Sequence, residues 1–374
     1  VDLLRYTRCK VATNFFIAPI RRNKIEPKHM NKVSFIPIFI VLLVGIGCRQ
    51  DEVRQTDAAT TPVVTERSLL EAMELKSLLD SGAQLILIEV SKPDIYAKGH
   101  IANALNIWRT DYEDTNSFSY TGMRASKAQM EALLSRLGIL PTDTIVLYCR
   151  GGNADALRVY WLLHLYGHPH LQVLNGGFES WRQLALPIDT TVKEPTRTDY
   201  HFSKTENTAT LATLDEVLAA IGDTNVILLD TREAEEFMGM PYIDKDKVLP
   251  WKDGAFTFGR IPGAVHINWS EAVELDEDHR FKSLRALRWN FESRGIRPDK
   301  TIITYCQSGV RSAHTTFVLT KLLGYPNVKN YDGSWIEWSY YYTQYKNVPI
   351  ARDLSEAEHA RQLQALRANQ RKAS

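Results

Sequence analysis

The chain has 374 residues, 44% of them apolar and 24% charged, which excludes disorder throughout and is long enough for two domains, each with its own core. Its 45 basic and 44 acidic side chains leave a net charge of +1, so no global field recruits nucleic acid or an acidic membrane, and any affinity for anions must be local. The cysteines are Cys9, Cys48, Cys149 and Cys306, with no C-x-x-C pair among them, so neither a zinc site nor a redox dithiol is expected.

From Met30 the sequence has a basic start at Lys32, an apolar run from Val33 to Ile46, then Gly47-Cys48 and a polar continuation. This is the layout of an export signal, and the run is shorter than the ~20 residues of a spanning helix. It resembles a bacterial lipoprotein signal, in which Cys48 would be lipidated, although Gly45 stands where that pattern usually has Leu. The expectation is an exported protein, either free in a bacterial periplasm or held at the membrane only through this N-terminal anchor. Residues 1–29 are left out of the fold reading, and Cys9 with them.

An internal repeat organises the rest. The stretch from Gly138 to Trp181 lies over that from Gly295 to Trp338 without a gap, at a constant offset of 306 − 149 = 157 positions. Both copies keep Gly-Ile-x-Pro, a run ending in Tyr-Cys, a small-residue loop, an apolar helical pattern, Gly-x-Pro and a late Gly before Trp. A period of this length means two domains rather than a solenoid. In chain order, LILIEV (85–90) and TIVLY (144–148) in the first copy, and VILLDT (226–231) and TIITY (301–305) in the second, are continuous apolar runs suited to buried parallel strands. Helical patterns over 127–137 and 283–294 separate them, so the predicted fold class is α/β, two domains each with an open parallel sheet and helices on both faces. The predicted boundaries are a signal segment over 1–48, a polar linker over 49–66, domain one over 67–189, a linker over 190–211, domain two over 212–345 and a tail over 346–374. The tail opens with a capping-box pattern at Ser355 and Glu358 and reads as a surface helix.

The chemistry gathers at YCQSGVRSAH (305–314). A strand runs into Cys306, the loop Gln307, Ser308, Gly309 and Val310 follows, then Arg311, with a helix expected from near Ser312. Backbone N–H groups of such a loop and the positive end of the helix converge on the sulfur and favour a thiolate. Gly309 permits the tight turn, and Arg311 is expected to close the ring as a positive fork. This arrangement serves nucleophilic attack through sulfur. The spacing from Cys306 to Arg311 is C-x4-R, one residue shorter than the C-x5-R cradle that phosphatases build around a tetrahedral phosphate.

With LLDTREAEEF (228–237), GRIPGAVHINW (259–269) and YDGSWIEW (331–338), the duplicated chain resembles the tandem-domain rhodaneses, the thiosulfate and 3-mercaptopyruvate sulfurtransferases. The resemblance implies that Cys306 takes a sulfane sulfur from a donor, carries it as a persulfide and passes it to cyanide or a thiol, without metal or cofactor. It implies supporting roles for Asp230 and Arg232, which would brace the loop and the domain contact, and for Trp335 packed near the site. It also places His100 at a position that in some members reaches the cleft, with a satisfied structural histidine as the other reading.

Two departures bear on the donor. Glu236 stands where mercaptopyruvate enzymes tend to have an arginine, and Arg311 where their loop usually has Thr, so thiosulfate is the expected donor and mercaptopyruvate the alternative. Arg260 occupies the second copy's counterpart of His100, as a basic rim or a solvated charge. The first copy keeps Cys149 but has Ala154 in place of Arg311, which leaves two readings open, a degenerate scaffold and a second sulfur-carrying site. A sulfur-carrier or redox-sensing binding protein is the alternative from another functional class.

Overall fold

A computed structural model of the chain describes residues 67–240 and 254–355, the backbone of 242–244 and 247–249, and single positions as far as 364. The segment over 1–48 in which an export signal is expected, with Cys9 and Cys48, lies outside the described residues.

The first repeat contains β1 (Leu69–Leu70), α1 (Ala72–Asp80), β2 (Leu85–Val90), β3 (Leu105–Ile107), α2 (Lys127–Arg136), β4 (Thr144–Tyr148), α3 (Ala154–Tyr166), β5 (Leu171–Leu174) and α4 (Gly177–Gln183). The second contains β6 (Leu211–Ala212), α5 (Leu214–Ala219), β7 (Val226–Asp230), α6 (Ala234–Met238), β8 (Val265–His266), α7 (Leu284–Glu292), β9 (Thr301–Tyr305), α8 (Val310–Phe317), β10 (Val328–Tyr331) and α9 (Ser334–Tyr345). Each repeat forms a five-stranded parallel sheet, in the order β1-β5-β4-β2-β3 and β6-β10-β9-β7-β8. The four apolar runs are the central strands of these sheets, as their composition predicts.

Alternation along the strands puts apolar side chains on both faces of each sheet. In β4, Ile145 and Leu147 face α2 and α3, while Val146 and Tyr148 face α1 and α4. In the second sheet, Ile302 faces α7, while Ile303 and Tyr305 face α5 and α9. Helices thus cover both faces of each sheet. Ser126, Thr213 and Ser283 cap α2, α5 and α7 by accepting a backbone N–H in the first turn.

Two helices are buried all round. Ten of the thirteen residues of α3 and all eight of α8 are buried, because these helices pack on each other between the two sheets. Tyr160 of α3 meets Phe317 of α8 edge to face at 5.0 Å, and Phe317 and Ala313 belong to the first repeat's apolar core. The repeats therefore share one continuous interior.

The expected linker and the start of the expected tail both pack on the repeats they adjoin. Most of the 190–211 linker is laid along the first repeat: Tyr200 and Phe202 are buried, and their N–H groups bond Ser135 and Glu131. The start of the tail is built into the second repeat, with Val348 buried, Trp338 donating its indole N–H to the Pro349 carbonyl, and Ala351 bridged to Arg260. Apolar residues within these polar stretches explain both. The capping box of Ser355 and Glu358 is formed. Among the described residues no helix is long and apolar enough to cross a membrane.

Candidate active site

Cys306 follows β9 at the carboxyl end of the sheet, the edge where open α/β sheets place their ligands. The loop's orientation comes from the helix behind it. Carbonyls of Cys306 and Gln307 accept the N–H groups of Trp335 and Ile336 in the first turn of α9, at 3.0 Å each. The loop carbonyls so engaged satisfy otherwise orphaned donors of α9, and the loop turns N–H groups toward the sulfur. Gly309 makes the turn with φ +77°, and the helix begins at Val310. The sequence places that start near Ser312; the αL residue at Gly309 starts it two residues earlier, so Arg311 and Ser312 lie in the first turn.

Cys306 is buried, and burial pushes its thiol up. The opposing contributions are larger together: the Arg311 charge, the Ser312 hydroxyl at 3.5 Å from Sγ, and the N–H groups of Ser312 and Ser308. The thiol is held below its ordinary value, and the anion is the favoured form. Ser312 is not marked as a site residue by the loop motif. The signal for it is the difference between copies, because Asp155 occupies the same place in the first repeat.

Arg311 differs from its expected role. Its Nη1 and Nη2 donate to Glu236 at 2.6 and 3.0 Å, and Glu233 lies 3.6 Å away. The fork is filled by a buried carboxylate rather than left open to a dianion, so Arg311 acts on the sulfur through its charge, and the Arg311–Glu236 pair does not by itself select a donor.

Asp230 and Arg232 form a buried pair at 2.6 Å, and Asp230 also accepts the backbone N–H of Arg232, as a strand-end cap does. Arg232 donates to the Gly259 carbonyl and lies 4.8 Å over the Trp335 ring, whose N–H bonds the Thr257 carbonyl. These contacts all lie within the second repeat and support the strand end beneath the loop; the brace across the domain contact comes from other residues.

His100 is not at this site. It stacks on Tyr96 at 3.7 Å and its ring nitrogens face the carbonyls of Tyr96 and Thr191, all in the first repeat and its linker. Arg260 is pinned, over the Phe237 ring and to Asp353 at 2.7 Å.

Cys149 occupies the same frame with different chemistry. Its N–H bonds Asn153 and its carbonyl accepts from Phe178. Burial and then the Asp155 carboxylate raise the thiol far above its ordinary value, against two backbone N–H groups. Arg150 turns away to Glu89 and the Gly99 carbonyl. Both cysteines are free thiols, and among the described residues no group of three or more His, Cys, Asp or Glu could hold a metal. A cavity of ≈ 660 Å³, lined in part by His164, Lys204 and Lys321, includes no residue of either cysteine loop.

Gly309 provides a direct check of the loop geometry. A Cβ there would stand 2.6 Å from Nη1 of Arg158 and 2.7 Å from the Asp332 carbonyl oxygen, on a backbone that side chains rarely adopt. Gly309→Ala is expected to destabilise the protein by about 1–3 kcal/mol, read as a lower urea midpoint at unchanged slope.

Two parallel sheets of one order, joined through paired helices and each ending its central strand in a cysteine loop, define a duplicated α/β protein in which, of the two described cysteines, Cys306 is the one held below its ordinary value. The Rhodanese-like domain profile matches residues 71–184 and 213–340. The chain belongs to the rhodanese family. It is 38% identical over 255 residues to a Mycolicibacterium smegmatis protein named "Putative thiosulfate sulfurtransferase", covering 68% of this chain and 88% of that one. It is also 38% identical over 262 residues to the Mycobacterium tuberculosis "Putative thiosulfate sulfurtransferase SseA", covering 69% and 83%. The anaerobic ergothioneine biosynthesis enzyme from Chlorobium limicola has a similar fold, with a TM-score of 0.64 at 22% identity over 77% of this chain and 71% of that one.

Proposed function

We propose that this protein is a sulfurtransferase that carries sulfane sulfur on Cys306, with thiosulfate as donor. The observation that carries the reading is the contrast between two thiols in one frame: Arg311, Ser312 and loop N–H groups lower Cys306 against its burial, while burial and then Asp155 raise Cys149. The names of the mycobacterial relatives support the choice of donor.

In the first step the Cys306 thiolate attacks the outer sulfur of thiosulfate. A sulfur–sulfur bond forms to Cys306, the bond to the sulfonate sulfur breaks, and sulfite leaves with its electron pair. The terminal sulfur of the resulting persulfide is an anion, and the donors that stabilise the thiolate stand ready for it. In the second step an acceptor such as cyanide takes that sulfur and the thiolate is restored, with no proton, metal or outside oxidant consumed. Sulfur is passed along in a double displacement.

Steady-state kinetics test this. Varying thiosulfate at several fixed cyanide concentrations is expected to give parallel double-reciprocal lines, with kcat/KM for thiosulfate at least about tenfold above that for mercaptopyruvate, or about 1.4 kcal/mol in transition-state binding. The reverse order of donors would make it a mercaptopyruvate enzyme. Sulfur uptake without turnover by any small acceptor would make it a carrier.

A further inference from the structure

The contacts between the repeats obey the 157-residue offset. Arg124 of the first repeat donates its backbone N–H to Asp332 of the second at 3.2 Å, and Phe281 of the second donates its own to Asn175 of the first at 3.0 Å. The helices after the cysteines reach across in a similar way, one residue out of that register, each to the other repeat's loop glycine. His314 of α8 lies against the Gly152 backbone of the Cys149 loop, and Arg158 of α3 against Gly309 of the Cys306 loop.

The chemistry of these two reaches differs. His314 packs between the rings of Trp269 and Phe281 at 5.0 and 5.2 Å. Arg158 is fully buried, with Nη2 2.5 Å from Asp332 and Nη1 donating to the Gly309 carbonyl at 3.4 Å. The same carbonyl accepts from Asn330 at 3.3 Å and Ala313 at 3.2 Å. A buried guanidinium is costly to desolvate and is kept where its partners need it. Nη2 also donates to the Gly122 carbonyl of its own repeat at 3.4 Å; the partners in the other repeat are the peptide that begins α8 and the acid at the end of β10, directly behind the loop.

We propose that Arg158 of the first repeat is a positioning residue for the reaction at Cys306, acting through Asp332 and the Gly309 carbonyl to fix the loop whose N–H groups face the sulfur. This rests on the reading of Cys306 as the sulfur carrier. The first repeat then serves the reaction through the helix that follows Cys149 rather than through its own thiol.

The test compares full-length parent, Arg158→Met, Arg158→Lys and the double variant Arg158→Met/Asp332→Asn. Two readouts are followed at the Cys306 peptide by mass: alkylation by iodoacetamide against pH, and sulfur uptake from thiosulfate. The double variant leaves neither Arg158 nor Asp332 buried alone, and Arg124, the other cation on Asp332 at 3.2 Å, keeps Glu206 at 3.4 Å, so this variant decides the matter if Arg158→Met does not fold. Expected are alkylation slowed about tenfold at a fixed pH on the rising limb and uptake slowed about 100-fold, with partial recovery in Arg158→Lys. A folded double variant with the parent's alkylation profile and uptake rate would overturn the proposal. Sulfur uptake persisting in Cys306→Ser would instead overturn the reading of Cys306, while the alkylation profile still decides the role of Arg158.

Discussion

Replacing Arg311 by alanine is expected to slow sulfur uptake at Cys306 by roughly 10²–10³-fold, the cost of losing one preorganised charge stabiliser. Arg311 is the largest favourable influence on the Cys306 thiolate against its burial. The depressed pKa lets the thiolate persist below the ordinary cysteine range near ~8.5. Alkylation of the parent should therefore hold its plateau into that lower range and decline only as pH falls through the depressed pKa; in Arg311→Ala the decline moves to higher pH. The same substitution strands Glu236, whose side chain is only 2% exposed. Arg311→Ala/Glu236→Gln removes that stranded charge, so a double variant that regains stability but not thiolate reactivity separates the two effects. Unchanged alkylation against pH in both variants would remove Arg311 from the account.

Asp230→Asn is expected to cost about 3–5 kcal/mol of folding stability, because it leaves the Arg232 guanidinium buried without its counter-charge. Both side chains lie at the end of β7, with Arg232 held between the Gly259 carbonyl and the Trp335 ring. For a domain whose whole stability is typically about 5–15 kcal/mol, that loss is large. It should appear as a fall in the urea midpoint. Asp230→Asn/Arg232→Met, with neither charge buried, is expected to regain much of the loss. A single variant as stable as the parent would show that the pair is not a support of this strand end.

The central strands were legible because each sheet is covered on both faces, which writes a continuous apolar run into the sequence. The loop at Cys306 was legible because strand, cysteine, glycine and helix start are local. Partners brought in by tertiary structure were not. Nothing local tells that Glu236 fills the fork of Arg311, or that Asp332 receives Arg158. Arg158 does leave a trace, as a charge inside the apolar helix ADALRVYWLLHLY. Ser312 leaves another, since it aligns with Asp155 and the copies differ there in sign of effect on the thiol. His100 could not be placed by pattern, because a histidine at a strand start reads alike whether it faces a cleft or two carbonyls.

The most direct measurement is the intact mass of the purified full-length protein before and after thiosulfate, with Cys149→Ser and Cys306→Ser alongside. The account predicts a gain of one sulfur atom in the parent and in Cys149→Ser, reversed by cyanide and absent from Cys306→Ser. A gain that persists in Cys306→Ser would contradict it and move the chemistry to another thiol.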